Sequence, residues 1–204
     1  MRLTSSRSLV QYWDGLRAGR LAPLRTEIEP ADIATLLPVT FMLDCSRAAG
    51  FRFRLAGTSI CEQLGRELRG VELAELIDPR DRRPIGILLE SVVTKGGIAV
   101  VQLEATGNGE RKIGFELVAM PVMHASRSVN RLLGSLTAID KPVWLGTAPI
   151  SPFRVAEMDI VSAARTRTAY QPPAIASESA NDTPENSGTA GLRRFRVIEG
   201  GRSR

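Results

Sequence analysis

The sequence predicts an α+β domain built on a five-stranded antiparallel sheet, with helices on one face and a helical extension at its N-terminus. Three observations lead there. Residues 51–56, Phe-Arg-Phe-Arg-Leu-Ala, alternate apolar and charged side chains with the period of a half-buried strand. Residues 78–95 place Ile85, Leu88, Leu89, Val92 and Val93 on one helical face before Gly96-Gly97. Three strand-like segments then follow at short intervals: 98–105, 112–123 and 129–139. A helix crossing from a two-strand unit to a three-strand unit belongs to an α+β plan and not to an alternating parallel one.

The elements follow in chain order. Over residues 6–17, Leu9, Tyr12, Trp13 and Leu16 recur at i, i+3, i+4, i+7, the stripe of an amphipathic helix that Gly19 and Pro23 end. A short helix is predicted from Pro30, burying Ile33, Leu36 and Leu37 and stopping at Pro38. Residues 39–45 read as a strand, and a turn over 46–50 joins it to the Phe/Arg strand as a hairpin. After Gly57, Ser59 and Glu62 have capping-box spacing, and Gly65 suits the left-handed residue that ends a helix. Asp78 is expected to cap the long helix, with Pro79 in its first turn. The loop 106–110, Thr-Gly-Asn-Gly-Glu, has the Asn-Gly chemistry of a tight hairpin.

Composition limits the function classes. At 204 residues with 43% hydrophobic content, one domain with tails is expected. The net charge of +5 is no nucleic-acid footprint, since residues 160–204 alone hold seven arginines against four acids and the rest is dispersed. No run approaches the roughly 20 apolar residues of a membrane span, and no apolar leader follows the first residues. The expectation is a soluble cytoplasmic protein with reduced thiols.

Catalytic and cofactor chemistry finds little support. Cys45 and Cys61 form no CxxC pattern, and with the single histidine, His124, they cannot meet an ordinary metal coordination set. Cys61 reads as a packed thiol and His124 as a loop residue after the middle strand. Glu104 and Glu116 are placed facing one another across the second hairpin, with strand glutamates normally marking a solvated face. Asp44 and Arg54 are placed as a pair across the first hairpin. No phosphate loop and no nucleophile–base set occurs.

Five segments together resemble a known family: Trp13 with Leu16–Arg20, the helix 28–38, Phe41–Asp44, Phe51–Thr58 and Gly65–Gly70. Over about residues 8–145 the chain is similar to stand-alone bacterial PAS-like domains, of the alphaproteobacterial type, first catalogued as a domain of unknown function. The resemblance implies a sensory or regulatory role exerted through dimerisation or a partner protein. It implies no flavin photochemistry, because Cys61 lies in Ser-Ile-Cys-Glu-Gln-Leu and not in an Asn-Cys-Arg helix, and His124 is poorly placed for haem. The cofactor therefore stays unknown.

The predicted division is 1–38 as helical cap, 39–145 as the PAS-like domain, 146–162 as an extension able to dock, and 163–204 as a mostly disordered basic tail. Phe41, Leu43, Phe53 and Leu55 are expected to point towards Leu89 and Val93, lining a small-molecule pocket between sheet and long helix or simply filling a core. The stripe Leu9, Tyr12, Trp13 and Leu16 is the expected interface, either on the chain's own sheet or on a dimer mate. Two further readings stand beside the sensory one: a structural adaptor using its N-terminal helix or C-terminal tail, and a nucleic-acid-binding regulator.

Overall fold

The chain's fold was taken from a computed structural model, which describes residues 1–46, 50–107, 111–124 and 128–162. The predicted tail 163–204 and the centres of three predicted turns lie outside the described residues.

The alternating segments form one antiparallel sheet. Its strands are β1 (Thr40–Asp44), β2 (Arg52–Ala56), β3 (Ile98–Gly107), β4 (Arg111–Met123), β5 (Val129–Ala138) and β6 (Arg154–Val161), in spatial order β2-β1-β5-β4-β3-β6. The count of five is corrected to six. Arg154–Val161 lies beyond the proline-punctuated stretch after Lys141, and it pairs with β3 from Ile98↔Val161 to Glu104↔Arg154. Phe153, at the entry to β6, is buried edge-to-face against Phe115 at 4.9 Å, so an aromatic anchor holds the extension to the core.

Strand alternation supplies both faces. Phe41, Leu43, Val101, Leu103, Leu117, Leu132 and Leu136 face one core, and Met42, Val100, Val118, Met120 and Leu133 face the other. The first core is closed by α2 (Thr58–Leu64), the one-turn α3 (Leu73–Leu76) and α4 (Arg82–Lys95), through Ile60, Leu73, Leu76, Ile85, Leu88, Leu89 and Val92. The second is closed by α1 (Thr4–Arg17) with Leu9, Val10, Tyr12 and Trp13. The sheet is thus sandwiched between helices.

Two glycines permit this packing. A Cβ at Gly134 would lie 2.2 Å from the Val118 carbonyl and 2.3 Å from the Phe41 ring, so its absence lets Phe41 lie over β5. A Cβ at Gly57 would lie 2.2 Å from the Leu37 carbonyl, so only glycine lets α2 begin against the preceding short helical turn.

Several local expectations change. The long helix begins at Arg82 and not at Asp78, and residue 81 is its cap position. Asp78 is occupied in a turn, accepting from the backbone and guanidinium of Arg80. No capping box forms at Ser59 and Glu62, because α2 is entered through Gly57, whereas Gly65 does close it in the left-handed region at φ 63°. The helix predicted from Pro30 is two short 3-10 turns, Pro30–Ile33 and Leu37–Val39, with Ile33 buried and Leu37 exposed.

Candidate functional site

The β1–β2 hairpin and α4 define the candidate site. Phe41, Leu43, Phe53 and Leu89 are buried together, with the Phe41 and Phe53 rings edge-to-face at 5.6 Å. These four side chains fill the space between sheet and helix. Leu55 departs from them: a register shift between Met42 and Leu43 sets Leu55 opposite Met42, and it stands 42% exposed. The strict alternation of 51–56 concealed that bulge, which moves one residue out of phase.

Beyond the packed aromatic pair the core opens into a cleft of about 540 Å³, lined by Cys45, Ser46, Gly50, Phe51, Glu90, Val93 and Thr94. Val93 alone of the predicted pocket residues lines it. The apolar wall is Phe51 and Val93, and the polar groups come from the end of β1 and the last turns of α4. Thr94 donates its hydroxyl to the Glu90 carbonyl at 2.8 Å, leaving its oxygen lone pairs available to accept. Burial, reinforced by the Asp44 charge, pushes the Cys45 thiol up to about 11, so at neutral pH it is a neutral weak donor and not a thiolate. The volume and mixed lining suit a small molecule with an apolar body and a polar end.

Cys61, on α2, is also raised, first by burial, and its sulfur lies 3.6 Å from Glu67. His124 is an exposed residue just after β4 and does not line the cleft. Among the described residues no group of three or more His, Cys, Asp or Glu is arranged to hold a metal.

A charge cluster fixes the hairpin beside the cleft. Asp44 is buried on β1 and accepts from Arg54 at 2.6 and 2.9 Å, as the cross-hairpin pairing predicts. It also meets Arg131 of β5 at 3.1 Å, a partner the local pattern did not reveal. Burial alone would raise its carboxyl, but the Ser46 N–H and the two guanidinium groups prevail and hold it at about 2.

On the opposite face, the stripe Leu9, Tyr12 and Trp13 is buried on the chain's own sheet, with Leu16 half-buried beside it. Trp13 donates its indole N–H to the Pro121 carbonyl at 2.7 Å, and Tyr12 bonds both the N–H and the carbonyl of Glu29. Pro121 is tolerated in a central strand because β4 there has run past the end of β3, where its missing N–H costs no ladder bond. The start of the same helix is held by Glu116. This residue pairs with Gln102 and not with Glu104, which stands opposite Gly114. Glu116 is fully buried, correcting the solvated placement, and its carboxylate accepts from the N–H groups of Arg2 and Leu3 and from the Gln102 amide. Closure of the hairpin at Gly107↔Arg111 is what sets Gln102, and not Glu104, opposite Glu116.

A family model described as PAS domain matches residues 1–137. Similar solved structures include a light-oxygen-voltage domain studied with a flavin analogue (14% identity, 54% of this chain and 84% of that chain, TM-score 0.42). The light-state LOV domain of the blue-light photoreceptor Aureochrome1 matches at 13% identity, 56% and 89% coverage and TM-score 0.40. The LOV protein of Rhodobacter sphaeroides matches at 12% identity, 57% and 71% coverage and TM-score 0.42. A search of curated proteins returned no match.

Proposed function

Since the chain belongs to the PAS domain family, we propose that it is a sensory and regulatory domain that takes up a small molecule in the cleft between β1, β2 and α4 and acts on a partner protein by contact. The observation that carries this reading is the cleft itself, about 540 Å³ and continuous with Val93 at the edge of the helix–sheet core. Its chemistry fits a ligand with an apolar body against Phe51 and Val93 and a hydrogen-bonding end near Glu90, Thr94 and Ser46. Occupancy would bear on α4 and on the β1–β2 hairpin together, since both supply lining residues. No covalent step is assigned, because both thiols are held towards their neutral form.

The test is native mass spectrometry of the purified protein, run beside its visible absorption spectrum. Bound mass that is lost in Val93→Trp, which fills the cleft, supports the reading, and colour identifies a chromophore. The packed Phe41–Phe53 core favours a second reading, an adaptor without a ligand. A bare polypeptide mass, unchanged by addition of a metabolite extract, selects that adaptor instead.

A further inference from the structure

The two outer edges of the sheet are treated differently. The edge of β2 is covered: Phe53 N–H donates to the Val71 carbonyl at 2.9 Å, Gly70 N–H to the Phe53 carbonyl at 2.8 Å and Leu73 N–H to the Phe51 carbonyl at 2.8 Å. Among the described residues no segment covers β6 in the same way. Two of its N–H groups are met by carboxylates, Val155 by Asp81 at 3.0 Å and Ile160 by the neighbouring Asp159 at 2.8 Å. These acids stand where the carbonyls of an added strand would stand.

The side chains of β6 are sorted by face. Met158 and Ile160, opposite Val101 and Ala99, are exposed apolar residues on the α4 side. Glu157 and Asp159, opposite Gln102 and Val100, are exposed acids on the α1 side. A second copy of β6 is a poor partner. The two antiparallel self-pairings that keep the faces aligned and engage nearly the whole strand set Glu157 against Glu157 or against Asp159, and directly opposed like charges destabilise a sheet. Arg154 is already paired with Asp81, and Arg2 meets Glu157 only loosely at 3.9 Å, where both are largely exposed.

We propose that the edge of β6 binds an extended segment of a partner protein as a seventh strand, whose carbonyls replace Asp81 and Asp159 at the Val155 and Ile160 N–H groups, with basic residues opposite Glu157 and Asp159 and apolar residues opposite Met158 and Ile160. Main-chain hydrogen bonds supply affinity and the alternating side chains supply selectivity. Lys95 and Arg20 lie near the Ile160 end, which confines the basic positions to the two opposite the acids. The proposal gives the partner contact of the sensory reading a surface. It rests on that reading only for its biological purpose, because the peptide titration reads the edge whereas native mass spectrometry reads the cleft.

The test is a fluorescence-anisotropy titration of the full chain with a labelled peptide Thr-Val-Arg-Val-Arg-Val-Thr. Saturable binding is expected, weakened at least about 10-fold in the double variant Glu157→Lys, Asp159→Lys, whose substitutions are exposed and leave the circular dichroism unchanged. The same peptide N-methylated at every amide is expected not to bind, since neither of its edges can then join a ladder. The proposal is overturned by absence of saturation up to ~1 mM, the weak end of useful affinity. It is equally overturned if the N-methylated peptide, or one with the two arginines adjacent, binds as well as the alternating one.

Discussion

The backbone N–H of Arg2 donates to Oε2 of Glu116 at 2.5 Å, joining residues 114 positions apart and tying the entry of α1 to the middle of β4. Burial by itself would raise the Glu116 carboxyl. The N–H of Arg2, with the Gln102 amide and the N–H of Leu3, outweighs it and holds the carboxyl below the usual range. The carboxylate also sits at the positive end of the α1 dipole.

Glu116→Ala is expected to cost about 3 kcal/mol, because it strands buried donors. Glu116→Gln, which keeps one acceptor, is expected to cost less. Because the folded carboxyl is depressed, its contribution is present above the ordinary glutamate range and is lost as the pH falls below it. Urea titrations at pH 7 and pH 4 check both statements.

Asp44 gives a second acid-sensitive anchor. Its carboxyl falls from 3.8 to about 2 in the fold, a shift equivalent to ~2 kcal/mol of stability above pH 4. Asp44→Asn is expected to remove roughly that amount at pH 7 and to have little effect at pH 2. Chemical denaturation of the two proteins across that window measures the difference.

Phe153→Ala is expected to destabilise the whole domain by about 3–5 kcal/mol, the usual cost of truncating a buried phenylalanine. If residues after Lys141 merely trailed from a finished five-stranded domain, the thermal midpoint would not move. Differential scanning calorimetry distinguishes the two.

Trp13→Phe removes the indole donor to Pro121 and is expected to cost about 1–2 kcal/mol. Trp144 is only partly buried, so loss of Trp13 should shift the fluorescence maximum to longer wavelength. An unshifted maximum would place Trp13 in solvent.

Most of the fold was legible because strand and helix periods are local. Phe51–Ala56, the apolar face from Ile85 to Val92 and the three strands after Gly97 each declared themselves within about ten residues. What was not legible depended on distant partners. Arg154–Val161 carries few large apolar residues, since an edge strand stays exposed, so its pairing with β3 left no periodic signature. Glu116 looked like a surface glutamate because the N–H groups that satisfy it belong to Arg2 and Leu3. Leu55 followed the alternation perfectly and was displaced by a bulge at Arg54 in its own strand, where Phe53 pairs with Leu43 and Leu55 with Met42. The cleft emerged where Val93 meets Cys45 and Phe51, residues from three separate elements that no single motif links.

The proposed ligand cleft contains one of the chain's two cysteines, which provides its own internal control. The decisive measurement is the rate of iodoacetamide alkylation at pH 9, followed site by site by mass spectrometry, with and without a deproteinised extract of the host cell. Cys45 lines the cleft and Cys61 lies on α2 outside it. A sensory cleft predicts that the extract slows alkylation of Cys45 several-fold and leaves Cys61 unchanged. Equal rates at Cys45 with and without extract, in a protein that also carries no bound mass, would contradict it.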